Sequence, residues 1–280
     1  MISKIEITNT LSLSCVENYF LAWLNEYYDV SNLYGQSYIP IERIFDDFSH
    51  GATYENYCSI PRLQDIAEEV GIVSHCYYPT NVVKALEIIN KQQTDELCLV
   101  RVNTLFFTAF KRASWREDHY VCIDKNLEWI NEYPLAEGQF EIAEFKNVYD
   151  GAVCVYKLRD LTVQSTDIGM NTYSSRDIKG IEPPHSLSAT EDAIGILRIT
   201  RKRLKVFYKH NEIISTILQK ETTLLDRIYF DIHMRIIKEK KIKNTLGISL
   251  ISDMRKKIDE IIIYENELKE AIENEYKRNM

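Results

Sequence analysis

Three residues of the 280-residue chain have types and an order that suit nucleophilic acyl chemistry: Cys15, His119 and Asn131. That chemistry needs a thiolate, a base to exchange its proton, and a third group to orient the base. Cys15, in TLSLSCVENYFLAWL, follows a short polar run at the point where an apolar helical pattern begins. The unpaired amides and dipole of a helix N-terminus favour an anion at such a place. His119 opens the strand-like run HYVCID after the polar stretch 111–118, which puts it at a sheet edge facing a cleft. The next strand-like run, LEWIN, ends at Asn131, and a tight turn around Lys125-Asn126 would bring Asn131 back beside His119. Asp124 lies five residues along the same strand as His119, so it points to the opposite face and is the poorer orienter. Alone, Cys15 reads as an inert, half-buried thiol, His119 as a core histidine and Asn131 as a turn residue; together they read as a triad.

The elements that must position these groups follow from periodicity and punctuation. Residues 15–28 read as a helix with Phe20, Leu21 and Leu24 as its buried stripe, and Tyr19, Trp23, Tyr27 and Tyr28 read as core aromatics. PRLQDIAEEV, 61–70, starts with Pro and stops before Gly71, and 80–91 makes a further helix. Strand-like runs cover 97–102, 119–124, 127–131 and 152–158. Helices followed by an antiparallel sheet make an α+β layout. Residues 161–187, rich in Ser, Thr, Gly and Pro, read as a linker or irregular crossing. Ser188-Ala189-Thr190-Glu191 fits a capping box, and about three amphipathic helices follow, two of them long and joined near Asn244–Gly247. The expected organisation is a catalytic domain over 1–160, a linker over 161–187 and a helical domain over 188–280.

Charge changes at the same boundary. Residues 1–185 hold 15 Lys and Arg against 27 Asp and Glu, net −12, whereas 186–280 hold 19 against 15, net +4. Arg201-Lys202-Arg203 and Lys238 to Lys243 read as solvated helix faces, with docking of an acidic partner as the sharper alternative. Nucleic acid is disfavoured by the net charge of −8. No apolar run is long enough to span a membrane and no secretory signal is visible, so the expected compartment is the cytoplasm. The six cysteines show no CxxC spacing, which argues against a metal site. In a reducing cytosol they should be free thiols, with Cys98, Cys122 and Cys154 packing as small hydrophobes. His50, His75, His185, His210 and His233 have no partner at useful spacing and read as structural or surface. The cluster Phe106-Phe107 to Phe110 reads as core, with an acyl channel as the alternative.

The order of these residues resembles the papain-like family, particularly the double-glycine leader peptidases and the butirosin-type acyltransferases. The resemblance is carried by Cys15 opening a helix, His119-Tyr120-Val121, Trp129-Ile130-Asn131 before Pro134, Glu144-Phe145 and Gly151-Ala152-Val153, and covers residues 5–158. It implies a papain-like fold, and it implies that Asn9, six residues before the cysteine where the family has Gln, supplies the oxyanion hole with the Cys15 amide. The chain departs from the peptidases in having Ser14-Cys15-Val16 for Asp-Cys-Gly, and Asn131 followed by Glu132-Tyr133-Pro134. No exporter segment follows, although leader peptidases are commonly fused to one. These departures favour transfer over hydrolysis.

The resemblance therefore implies a cysteine acyltransferase that takes an acyl or peptidyl group from a carrier-protein thioester to a small amine. Such amide formation is similar to the closthioamide-like transferases of non-ribosomal peptide assembly. Phosphopantetheine would arrive on the carrier protein, and no metal or resident cofactor is called for. A cysteine peptidase or amidase with the same triad is the first alternative. An inactive papain-like binding module is the second. Long amphipathic C-terminal helices would suit a homodimer.

Overall fold

A computed structural model describes residues 7, 11–54, 63–65, 68, 71–108, 119–159, 182–184, 186–242 and 248–279. In chain order, helix α1 (Cys15–Leu24), a 3-10 helix (Val30–Ser37) and α2 (Ile41–Ser49) precede β1 (Ile72–Tyr77), α3 (Val82–Asn90) and β2 (Leu97–Val102). Next come α4 (Thr104–Thr108), β3 (His119–Ile123), β4 (Glu128–Asn131), β5 (Ala136–Gln139), α5 (Ile142–Val148) and β6 (Tyr149–Leu158). Three helices close the order: α6 (Leu187–Phe207), α7 (Glu212–Ile242) and α8 (Ile248–Asn279). The architecture is α+β, with one antiparallel six-stranded sheet and a helical C-terminal region. The chain forms two compact units, Met1–Val30 with Pro61–Thr166, and Ser31–Ile60 with Asp167–Met280. Segment 31–60, placed with the first domain in the sequence reading, is grouped here with the helices. The expected helix over 61–70 lies mostly outside the described residues, with Leu63–Asp65 in a turn.

In the first unit the strands run in the order β1-β6-β2-β3-β4-β5. Period-two alternation divides their side chains between two faces. Val100, Val102, Val121, Ile123, Val153 and Val155 share one core with side chains of α3, α4 and α5. Phe106 and Phe107 belong to this core rather than to a channel, and Phe110 lies outside the described residues. Tyr156, on the opposite face, receives Phe20 of α1 at 5.4 Å between ring centroids. Helix α1 is buried on every side except Val16, more than the narrow stripe its pattern suggests. Tyr27, beyond its end, is exposed rather than core.

The cysteines depart from expectation at one pair. Cys76 of edge strand β1 and Cys154 of β6 stand directly opposite each other in the antiparallel register and form a disulfide. Direct opposition places both Cβ atoms on one side of the sheet, so strand pairing itself presents the two sulfurs to each other. Such bonds persist in oxidising surroundings, so for this pair the free-thiol expectation is replaced. Cys15, Cys98 and Cys122 are free and buried, and Cys58 lies outside the described residues.

In the second unit, α6 begins two residues earlier than the expected capping box. Ser186 is the N-cap and accepts from Ala189 N–H at 3.1 Å, while Glu191 pairs instead with His233 Nδ1 at 2.6 Å. The largest correction concerns the basic run. Arg201 and Arg203 are both 0% exposed, and Lys202 is tied to Asp226, so the two arginines of this run form no solvated face. Arg201 Nε donates to Glu265 Oε1 at 2.6 Å and to Glu221 Oε1 at 3.2 Å, and Nη2 donates to the Ile39 carbonyl at 2.7 Å. Its guanidinium also lies 4.8 Å from the Tyr38 ring centroid, and Arg203 caps Tyr34. Gly35 is required nearby, because a Cβ there would sit 2.7 Å from the Phe207 ring.

Two buried carboxylates facing one guanidinium leave a negative charge in excess. Burial, followed by the neighbouring Glu265 carboxylate, pushes the Glu221 carboxyl well above its usual range. Protonated Glu221 therefore stabilises the fold fully below the unfolded carboxyl value of about 4.3, and that contribution is lost as pH rises through the folded value. Thermal unfolding from pH 5 to 9 should show wild type losing stability relative to Glu221→Gln as pH rises; parallel curves would contradict this ionisation.

Candidate active site

Helix α1 starts at Cys15 because Ser14 caps it, its Oγ accepting from Glu17 N–H at 3.1 Å. Cys15 thus occupies the first helical position, at the positive end of the helix dipole. It is 7% exposed and is not part of a disulfide. Glu17, fully buried, turns its carboxylate back on the entering chain. One oxygen accepts from Leu13 N–H and the other from Leu63 N–H at 2.8 Å. A single carboxylate thereby fixes the loop that delivers Cys15 and a second loop beside it. Asn9, assigned to the oxyanion hole by resemblance, lies outside the described residues.

Strand β3 begins at His119, opposite Val102 at the end of β2. The turn after β3 is built by Asp124, whose Oδ1 accepts from Asn126 N–H at 2.8 Å and Glu128 N–H at 3.0 Å. Leu127 adopts φ 61°, a left-handed conformation uncommon for a branched side chain, and buries that side chain in the core. The chain then returns along β4, pairing Cys122 with Ile130. The hairpin brings His119 and Asn131 together, with Nε2 to Oδ1 at 2.7 Å. Both side chains are buried, at 2% and 0% exposure.

Hydrogen-bond chemistry fixes the protons. The Pro134 carbonyl can only accept, and Asn131 Nδ2 donates to it at 2.8 Å. Asn131 Oδ1 must then face His119, and as an acceptor it requires the ring proton on Nε2. Neutral His119 therefore carries its lone pair on Nδ1, the nitrogen available as a base. Phe107 packs edge-on to the imidazole at 4.9 Å and walls it on one side.

A fourth residue, expected from the sequence only as a core aromatic and indeed fully buried, links Cys15's helix to this pair. Tyr19, one helical turn after Cys15, donates its hydroxyl to the Ile130 carbonyl at 3.1 Å and accepts from Glu132 N–H at 2.8 Å. Those two backbone groups flank Asn131. Asn18 Nδ2 adds a contact to Glu132 Oε2 at 3.2 Å. Burial, opposed by the Glu132 N–H, holds the Tyr19 phenol well above its usual range. Tyr19 is therefore a neutral hydrogen-bonding group and no proton shuttle. Its spacing of four from Cys15 was the available signal, as was the Ser-x-x-Glu pattern at Ser14 and Glu17.

Among the described residues no cluster of three or more His, Cys, Asp or Glu is placed to hold a metal ion, and no helix is long and apolar enough to cross a membrane. The chain matches no family model, no curated protein and no solved structure at a significant level. Any functional reading therefore rests on its own residues and their geometry.

Glu17→Ala would leave two buried backbone donors without acceptors. The cost should be about 2–4 kcal/mol in urea unfolding, with Glu17→Gln losing less because one oxygen survives. A loss below about 0.5 kcal/mol for the alanine variant would show that Glu17 does not hold these loops.

Proposed function

We propose that the first unit is a papain-like cysteine acyltransferase that moves an acyl or peptidyl group from a carrier-protein thioester to an amine, forming an amide. The supporting observation is the buried 2.7 Å bond between His119 Nε2 and Asn131 Oδ1, which directs the basic Nδ1 away from its orienter. Cys15 at a helix start and Asn131 in place of the peptidases' aspartate add to it.

In this scheme His119 Nδ1 takes the Cys15 proton and the thiolate attacks the thioester carbonyl carbon. The oxyanion that forms is met by the Cys15 N–H and the Asn9 amide. Collapse breaks the bond to the carrier's sulfur, and that thiolate leaves with the proton held on His119. The incoming amine then attacks the acyl-enzyme and gives its proton to Nδ1. A second collapse releases the amide and returns the proton to Cys15. Asn131 keeps the ring oriented through both halves. The phosphopantetheine arm belongs to the carrier-protein substrate.

Intact-mass spectrometry of the full chain with an acyl-pantetheine thioester tests this reading. Wild type should gain one acyl mass and lose it to an added amine with formation of the amide. Cys15→Ala should gain none, and His119→Ala should acylate about 100- to 10,000-fold more slowly. Discharge by water alone would favour the hydrolase instead. An adduct that persists in Cys15→Ala, or none in wild type, would overturn the assignment.

A further inference from the structure

We infer that Tyr19 is the positioning residue that sets the Asn131–His119 pair against the helix bearing Cys15, an inference that rests on the acyltransferase reading above. A buried tyrosine needs one donor and one acceptor for its hydroxyl, and many backbone sites would serve. Tyr19 takes both from Ile130 and Glu132, the residues on either side of Asn131. The bonds grip one peptide on each side of the orienting residue, so displacement of β4 along its axis breaks at least one of them. Asn131 is rigid between His119 and Pro134, so a displacement there is passed directly to the imidazole.

The other end of the same side chain is the backbone of α1, one turn from Cys15. The rigid ring, with two side-chain torsions, is thus a spacer between nucleophile and orienter. Asn18 strengthens the same tether at Glu132. Removing the hydroxyl leaves the apolar ring in place but frees the β4 end to shift. Misplacement of about 1 Å is enough to cost about 100-fold in a reaction that depends on aligned groups.

The rate of Cys15 carboxamidomethylation by iodoacetamide in the full chain, read from its tryptic peptide, separates positioning from a merely structural role. The ratio of the rates at pH 6.5 and pH 9 reports how well the imidazole supports the thiolate, and unfolding stability does not enter it. Tyr19→Phe should lower that ratio about tenfold while its rate at pH 9 stays that of wild type. Asn131→Ala should lower it equally, and the double variant should fall no further, because both act through one imidazole. A folded Tyr19→Phe protein with the wild-type ratio, or additive losses in the double variant, would overturn the role of Tyr19. A wild-type ratio no higher than that of an unstructured cysteine peptide would instead sink the acyltransferase reading itself. Should Tyr19→Phe not fold, 3,5-difluorotyrosine at position 19 keeps the ring and weakens the acceptor; an unchanged ratio there would equally overturn the proposal.

Discussion

The side-chain amide of Asn131 is the constraint from which the geometry of the His119 pair and the proposed chemistry follow. An amide has one end that accepts and one that donates, and Pro134 offers a carbonyl that can take the donating end alone. That contact leaves no choice at the other end. Oδ1 meets His119, Nε2 holds the proton, and the basic lone pair sits on Nδ1. An aspartate here would add charge but lose the donor to Pro134, so the orientation of this asparagine is set by the turn that follows it. The unit around it serves largely to keep that amide still: Asp124 shapes the β3–β4 turn, Phe107 walls the ring, and Tyr19 grips the backbone on both sides.

A second theme is the use of buried polar groups as fixtures. Glu17 holds two backbone N–H groups at the entrance of α1, and Arg201 holds two carboxylates and a carbonyl among the C-terminal helices. Each group is costly to bury alone and is tolerated because its partners are supplied by separate segments. Removing one partner strands the others, so these residues specify one arrangement of the segments they join. The two fixtures differ in charge. Glu17 works as a single carboxylate on neutral donors, whereas burial and the second carboxylate facing Arg201 push the Glu221 carboxyl above its usual range.

What could be read from the sequence was the part encoded locally. Strands β2, β3 and β4 announced themselves as apolar runs, and α3, α6, α7 and α8 as periodic ones, because each buries a face. Edge strands β1 and β5 did not: AEGQ in β5 has no β-branched or aromatic residue, and IVSHCY in β1 is half exposed. The Cys76–Cys154 bond joins residues 78 apart, a pairing that only the register of β1 on β6 brings about. Arg201 and Arg203 looked like surface charge because a sequence shows a residue's cost of burial but not the partners that offset it. His119 and Asn131 were legible as a pair because a short hairpin joins them. For Tyr19 the spacing from Cys15 marks only a shared helix face, because its partners are backbone groups more than a hundred residues away.

The tautomer of His119 is the quantity on which this account turns. Nitrogen-15 NMR of the imidazole in the full chain above the pH at which the ring is protonated reads it directly, with the resonance assigned by its loss in His119→Ala. The structure requires a protonated-type signal at Nε2 and a lone-pair-type signal at Nδ1, collapsing toward a mixture in Asn131→Ala. A proton found on Nδ1 in the wild-type protein would contradict the arrangement, since the nitrogen assigned as base would then have no lone pair to offer.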